Sequence, residues 1–262
     1  METLQHIRFE KSDGFGYISL NRPEVHNALN PLMISELTRV FTEITDDESL
    51  RALVIRGIGK SFSSGADLNY MTSLINSTKR ENLEDAGKLA ALFDIIYNCP
   101  VPVIAVVHGN VSGGANGIVA ASDITICAEN TTFRFTELKL GLVPATISPY
   151  IIRRIGESLA AELMFTSRSF TGAQAFSFGL VSKSVQEDEL DAALNSLLNE
   201  IRTSGAVALR KTKLLIRSIA GKEIDSEIRR FTSRVIADVR VSPEAQEGMK
   251  AFLEKRNPGW SK

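Results

Sequence analysis

The sequence predicts an α/β fold with crossover connections, extended at its C-terminal end by helices. Strand and helix patterns alternate through the first two-thirds of the chain, the order of a crossover-built sheet and not of a β-sandwich. Val101 to Val107 is a continuous apolar run rich in β-branched residues, the mark of a strand buried on both faces. Beyond about Asp188 only helical periodicity remains.

Apolar and polar residues alternate around Asp13-Gly14-Phe15-Gly16, so His6 to Glu10 and Gly16 to Leu20 are expected to pair as a hairpin. Asn30 is placed to cap a helix, Pro31 suits its first position, and Leu37, Val40, Phe41 and Ile44 recur at helical spacing up to Thr45-Asp46-Asp47. Ala52 to Arg56 reads as a short strand closed by Gly57, followed by a Ser/Gly-rich loop and a polar stretch to about Lys79. Glu81 to Asn98 carries Leu89, Leu92, Phe93 and Ile96 on one helical face and is stopped by Cys99-Pro100. After the Val101–Val107 strand, a helix is expected to start in Ser112-Gly113-Gly114, with Ile124 to Cys127 as the next strand. Four further helices are expected: Glu189 to Ile201, Ala206 to Ile219, Ile224 to Val239, and Pro243 to Lys255 behind the Ser242 cap.

Composition removes whole classes of function. With 262 residues and 44% apolar content the chain can build a real core, so disorder and fibrous folds are excluded. Thirty basic residues against 31 acidic ones leave a formal charge of −1, and no global field draws in nucleic acid or an anionic membrane. The first helix agrees, since its polar face is read as Glu36 and Glu43 with only Arg39. An anionic ligand must therefore be held by local donors. Cys99 and Cys127 sit in apolar surroundings without CxxC spacing and are expected as reduced, buried thiols. Histidines at 6, 26 and 108 have no metal-ligand spacing, so no metal site is expected. The N-terminal segment lacks a signal-peptide apolar stretch, and the longest apolar run is too short to cross a bilayer, so a soluble, cytoplasmic protein is expected.

Two glycine loops each follow an expected buried strand and precede a helical turn: Ser61-Phe62-Ser63-Ser64-Gly65-Ala66-Asp67-Leu68 and His108-Gly109-Asn110-Val111-Ser112-Gly113-Gly114-Ala115. Neither is a phosphate loop, because no lysine follows the glycines, and neither has GxGxxG order. Loops of this kind point backbone N–H groups outward, and two of them converging on one carbonyl oxygen make an oxyanion hole.

The two loops together resemble the enoyl-CoA hydratase/isomerase (crotonase) family, and the resemblance runs nearly end to end. Leu20 to Leu29 is similar to that family's adenine-side loop, Phe62 to Leu68 and Gly109 to Asp123 to its two oxyanion segments, Phe133 to Pro144 to its catalytic segment, and Glu247 to Arg256 to its C-terminal helix. The resemblance implies an α/β, crotonase-like spiral of ββα turns over residues 1–200, and a C-terminal helical oligomerisation region over 201–262. It also implies an acyl-CoA substrate, no separate cofactor beyond the coenzyme A of that substrate, and assembly as a homotrimer or homohexamer. The N–H groups of Ala66 and Gly114 would hold the thioester oxygen, and Glu137 would carry the proton. Glu24, Val25, His26, Ser64, Asp67 and Leu68 would join Ala66 and Gly114 in binding the substrate, with Lys255 at its nucleotide end.

One departure bears on the reaction. Many hydratases of the family hold water between two glutamates, and the second falls three residues after the oxyanion glycine, which here is Gly117. A single glutamate is the pattern of isomerases, which move a proton from the α to the γ carbon. Against this, Ala145-Thr146-Ile147-Ser148-Pro149 resembles bacterial methylglutaconyl-CoA hydratase-like members, which also tend to carry glycine at the second position. Hydration of a 2,3-enoyl-CoA, with a branched or acidic acyl chain, is the leading expectation, and Δ3,Δ2-enoyl-CoA isomerisation through Glu137 is the alternative. A coenzyme A- or RNA-binding relative without turnover ranks below both. Thr146, Ser148 and Tyr150 are candidates to orient the water, and Arg134, Lys139 or Arg153 to pair with an acyl carboxylate. A protein side chain in space left by Gly117 would favour hydration, and an apolar wall isomerisation.

Overall fold

The computed structural model describes residues 4–45 and 47–261; Met1, Glu2, Thr3, Asp46 and Lys262 lie outside it, as does part of the expected helix end at Thr45-Asp46-Asp47. The described strands are β1 (Ile7–Ser12), β2 (Phe15–Leu20), β3 (Ala52–Gly57), β4 (Val103–Val107), β5 (Asn110–Ser112), β6 (Ile124–Ala128), β7 (Thr132–Arg134), β8 (Phe170–Thr171) and β9 (Lys183–Val185). The helices are α1 (Pro31–Glu43), α2 (Leu68–Leu74), α3 (Lys79–Asn98), α4 (Ala115–Ala121), α5 (Ser148–Thr166), α6 (Gly172–Ser177), α7 (Leu190–Arg202), α8 (Ala206–Ile219), α9 (Ser226–Arg240) and α10 (Pro243–Leu253).

Strands β1-β2-β3-β4-β6-β9 form a six-stranded sheet in that order, parallel except for the β1–β2 hairpin, and β5-β7-β8 form a second, three-stranded sheet. Successive turns of chain, β4-β5-α4 and β6-β7-α5, each give one strand to each sheet and then a helix, which is the expected spiral. The larger sheet is buried on both faces. On one side Met33, Leu37, Phe41, Leu92, Phe93 and Ile96 pack from α1 and α3; on the other, α7 seats Leu190, Leu194, Leu198 and Ile201 on Val54, Ile104, Val106 and Ile126. This is why β4 is apolar at every position.

Local chemistry sets the element ends. Asn30 Oδ1 accepts the Met33 amide at 2.9 Å to cap α1. Thr78 and Glu81 form a reciprocal capping box, so α3 begins at Lys79 and not at Glu81. Asp123 Oδ2 takes the Val103 amide at 2.8 Å, and β4 starts there, leaving Val101-Pro102 outside the strand. The final amphipathic pair differs similarly: Asp225 accepts the amides of Glu227 and Ile228, so α9 starts at Ser226, beyond the expected Ile224. Glu36 is not on the solvent face of α1 as expected. It is 4% exposed and accepts the amides of Gln5, His6 and Ile7 at 2.7, 2.9 and 3.1 Å, tying the hairpin to the helix.

Helix α8 and the chain beyond α10 meet the end of the sheet where its parallel strands begin. Lys213 of α8 donates to Val101 O at 3.0 Å, and Arg51, just before β3, donates to Trp260 O at 3.4 Å. No helix among the described residues is long and apolar enough to cross a membrane.

Candidate active site

The two glycine loops leave the opposite end of the sheet, after β3 and β4, and are stitched together. Phe62 N donates to His108 O at 2.9 Å, Ser63 N to Asn110 O at 3.1 Å and Ser112 N to Ser63 O at 3.2 Å. A Cβ on Gly109 would lie 2.0 Å from Lys60 O, and one on Gly65 2.7 Å from Ser112 O; both residues also have positive φ, +62° and +91°. Only glycine permits this approach. Gly114 itself is different: a Cβ there would make ordinary contacts, 3.7 Å to Leu89 and 3.8 Å to Leu29, so packing within the chain does not demand glycine at that position.

The stitching leaves particular amides over. Gly65 N donates to Ser63 Oγ (3.3 Å), Asp67 N to Leu29 O (2.9 Å) and Gly113 N to Arg134 O (3.1 Å). The amides between and after them, on Ala66 and Gly114, donate to nothing among the described residues. Gly114 also stands at the N-terminal end of α4, without a side-chain cap.

Glu137 opens a 3-10 turn, Glu137–Leu140, that follows β7 and is closed by Gly141 in the left-handed region. Its carboxyl faces the second loop: Oε1 lies 3.6 Å, and Thr136 Oγ1 3.4 Å, from the point where Gly113 would carry a Cβ. Oε2 is buried with no hydrogen-bond partner among the described residues, and burial pushes the Glu137 pKa up, with backbone hydrogen bonds opposing. The expected trio of Ala66, Gly114 and Glu137 is thus assembled on two adjoining loops and one turn.

Two polar residues of this region were not anticipated from the sequence. Thr136 turns its hydroxyl to Gly113, as Glu137 does its carboxyl, and Asn116 is fully buried in α4. Asn116 Nδ2 donates to Gly113 O and Arg134 O, both at 3.0 Å, and so joins the second amide loop to the segment carrying Glu137. Its Oδ1 has no partner among the described residues. A buried asparagine in an apolar helix is the only trace such a bridge leaves in the sequence.

Gly117 leaves no space. A Cβ there would fall 2.5 Å from Phe93 Cζ and 2.7 Å from Ile147 Cγ2, so the position of the family's second glutamate is closed by an apolar wall. Of the residues expected to orient water there, Ser148 gives its hydroxyl to Pro144 O at 2.6 Å, and Tyr150 turns its ring edge to Phe93 and Tyr97. Thr146 is half-buried and makes no hydrogen bond among the described residues. Arg134 donates to Ser167 O, Lys139 is exposed, and Arg153 stacks on Tyr97, so none of the three is set against the site.

The substrate-binding expectations divide. Glu24 and Val25 lie in a 3-10 turn that ends on His26 and Asn27, both in the left-handed region. Ser64 ties this turn to the first amide loop, its N–H donating to His26 O at 2.9 Å and its Oγ to Val25 O at 3.3 Å. His26 Nδ1 lies 3.2 Å from Ser61 Oγ. Leu68 is 80% exposed at the start of α2. Asp67 is already engaged: it caps α2 through the Asn69 and Tyr70 amides and pairs with Arg22 Nη1 at 2.9 Å, which holds its carboxyl below the usual range despite burial. Lys255 follows α10, in the left-handed region, and its side chain makes no hydrogen bond or ion pair to the amide loops among the described residues.

Comparison with known proteins accords with this arrangement. Residues 10–262 match the family model described as enoyl-CoA hydratase/isomerase. The chain is 32% identical over 259 residues to a crotonyl-CoA hydratase of Syntrophomonas wolfei, covering 96% of each. It is 35% identical over 210 residues to the human mitochondrial Delta(3,5)-Delta(2,4)-dienoyl-CoA isomerase, covering 76% of this chain and 64% of that protein. The crystal structure of an enoyl-CoA hydratase from Shewanella pealeana superposes with a TM-score of 0.95 at 36% identity, covering 99% of this chain and 97% of that one.

Proposed function

Because the chain belongs to the enoyl-CoA hydratase/isomerase family, we propose that its site adds water across the 2,3 double bond of an enoyl-CoA. The observation that carries this reading is the Glu137 carboxyl, with Oε2 buried and unpartnered, set against the Gly113-Gly114 loop. As a water oxygen bonds to C3, its proton passes to Glu137, the double-bond electrons move toward C2, and charge gathers on the thioester oxygen. The amides of Ala66 and Gly114 receive that charge, each such donor being worth about 3 kcal/mol in a water-excluded site. Glu137 then returns the proton to C2. Its raised pKa suits a group that must both take and give a proton near neutrality. Thr136 Oγ1, which faces Gly113 as that carboxyl does, is the second polar group we propose for holding the water.

The substrate we propose is a branched or acidic, methylglutaconyl-like acyl chain, on the strength of the Ala145-Thr146-Ile147-Ser148-Pro149 segment. We place the protein in the cytoplasm as a homotrimer or homohexamer, with Lys255 meeting the coenzyme A held by a neighbouring copy. A second reading has its own support: the apolar wall of Phe93 and Ile147 over Gly117 suits an isomerase, in which Glu137 takes a proton from C2 and returns it to C4.

Incubation of the purified protein in heavy water with crotonyl-CoA, 3-methylglutaconyl-CoA and a 3-enoyl-CoA separates the two. Hydration gives the 3-hydroxyacyl product with deuterium at C2. Exchange at C2 or C4 without net hydration of any of the three would overturn the first reading in favour of the second.

A further inference from the structure

A cavity of about 560 Å³ lies at the other end of the sheet from the amide loops, between the start of β6, the end of α3, α5 and α8. Its size is that of a small-molecule site. Charge is concentrated there. Arg153, Arg154, Lys213 and Arg217 line it, and Asp123 is the one carboxylate among the lining residues.

Asp123 is fully used. It accepts from Lys213 Nζ at 2.6 Å, Arg217 Nη2 at 2.7 Å and the Val103 amide at 2.8 Å. Arg154 spends its donors on main-chain carbonyls, Ala120 O at 3.1 Å, Asp123 O at 3.3 Å and Ser122 O, and meets no carboxylate among the described residues. Arg153 is exposed, held over the Tyr97 ring at 5.6 Å, and likewise has no carboxylate partner among them. The opposite part of the cluster, Arg217, lies 3.4 Å from the centre of the same ring. Four cations against one carboxylate leave an excess of three positive charges around a half-enclosed space. Lys213 is buried and Arg154 and Arg217 half-buried, where charge is expensive, and burial already pushes the pKa values of Lys213 and Arg154 down, while Arg153 stands exposed at the rim.

We propose that this cavity is a second ligand site, separate from the thioester site, that takes a small anion bearing a phosphate or carboxylate group. Lys213, Arg154 and Arg217 form its fixed floor, and Arg153, free to swing from Tyr97, closes on the anion. Phosphate and carboxylate both match the guanidinium fork.

Thermal unfolding of the full-length protein, at constant ionic strength and with free coenzyme A saturating, tests this. Inorganic phosphate and succinate are each titrated against chloride. One or both should raise Tm by about 3 °C at tenfold above its Kd, and whichever does so identifies the recognised group. Arg153→Ala should keep the parent Tm in chloride and weaken the anion's affinity at least tenfold, with Arg153→Glu abolishing it. Absence of any anion-specific shift, or a shift that both variants retain unchanged, would overturn the proposal.

Discussion

At the scale of a single residue, Glu137 is the group we propose for the proton transfer, and its burial makes a prediction with a definite sign. Glu137→Gln should lower turnover at least a hundredfold while leaving free coenzyme A binding unchanged, measured by steady-state kinetics and calorimetry. An unchanged rate would remove Glu137 from the mechanism. In the native state its pKa is raised, so between the ordinary carboxylate value and the raised one the folded chain holds more protons than the unfolded chain. Stability contributed by this group therefore falls as pH rises through that window and stays low above it. The glutamine variant carries no such penalty, so denaturant unfolding should find it more stable than the parent above the window and indistinguishable below it. Asn116 acts one step removed. It touches Gly113 O and Arg134 O and no reacting atom, so Asn116→Leu should free two carbonyls, cost about 1–3 kcal/mol, and lower kcat more than it raises KM.

At the scale of elements, α4 is the piece on which the site turns. Its N-terminal end presents Gly114, and Gly117, one turn on, is clamped by Phe93 of α3 and Ile147 just before α5. Gly117→Ala should therefore destabilise the protein by about 1–3 kcal/mol through overpacking. Gly117→Glu should fail to install a second catalytic acid unless Phe93 is cut back too, which a Phe93→Ala, Gly117→Glu pair can check by hydration rate and unfolding together. The same elements show what the sequence could reveal. Helices α1, α3 and α7 and strand β4 were legible because each buries a periodic or continuous apolar face long enough to stand out, and α8 because its apolar residues recur at helical spacing although Lys213 is its one buried residue among those described. Strands β5, β7, β8 and β9 have only two or three residues and no period to read. Helix α5 was hidden by Pro149 and by Gly156, whose φ of 76° breaks the helical path. Ala66, Gly114 and Glu137 could be singled out through ordered motifs. Thr136 and Asn116 were not, since each matters through a contact made only when distant segments meet. Glu36 misled because a helix carboxylate looks solvent-facing until strand amides claim it.

At the scale of the whole molecule, the two ends of the sheet have separate duties. The amide loops and Glu137 occupy the end where β3 and β4 finish, whereas α8 and the chain beyond α10 meet the end where they start. The C-terminal segment also carries uncovered apolar side chains, with Ile224 and Val241 flanking α9 and Phe252 and Leu253 at the end of α10 each at least 76% exposed, the mark of an interaction surface. In the assembly we propose, Lys255, just after α10, meets the coenzyme A of a neighbouring copy, which would tie substrate binding to assembly. Lys255→Ala should then raise KM for the acyl-CoA with little change in kcat, as loss of a ground-state phosphate contact does. The decisive measurement is complementation. Co-expressed Lys255→Ala and Glu137→Gln chains form mixed oligomers in which some sites pair an intact Glu137 with a neighbour's intact Lys255. For random mixing these amount to roughly a quarter of all sites, and they should show the parent KM alongside the weak population. Kinetics that stay the plain sum of the two separate variants would mean that Lys255 serves its own chain, or no site at all.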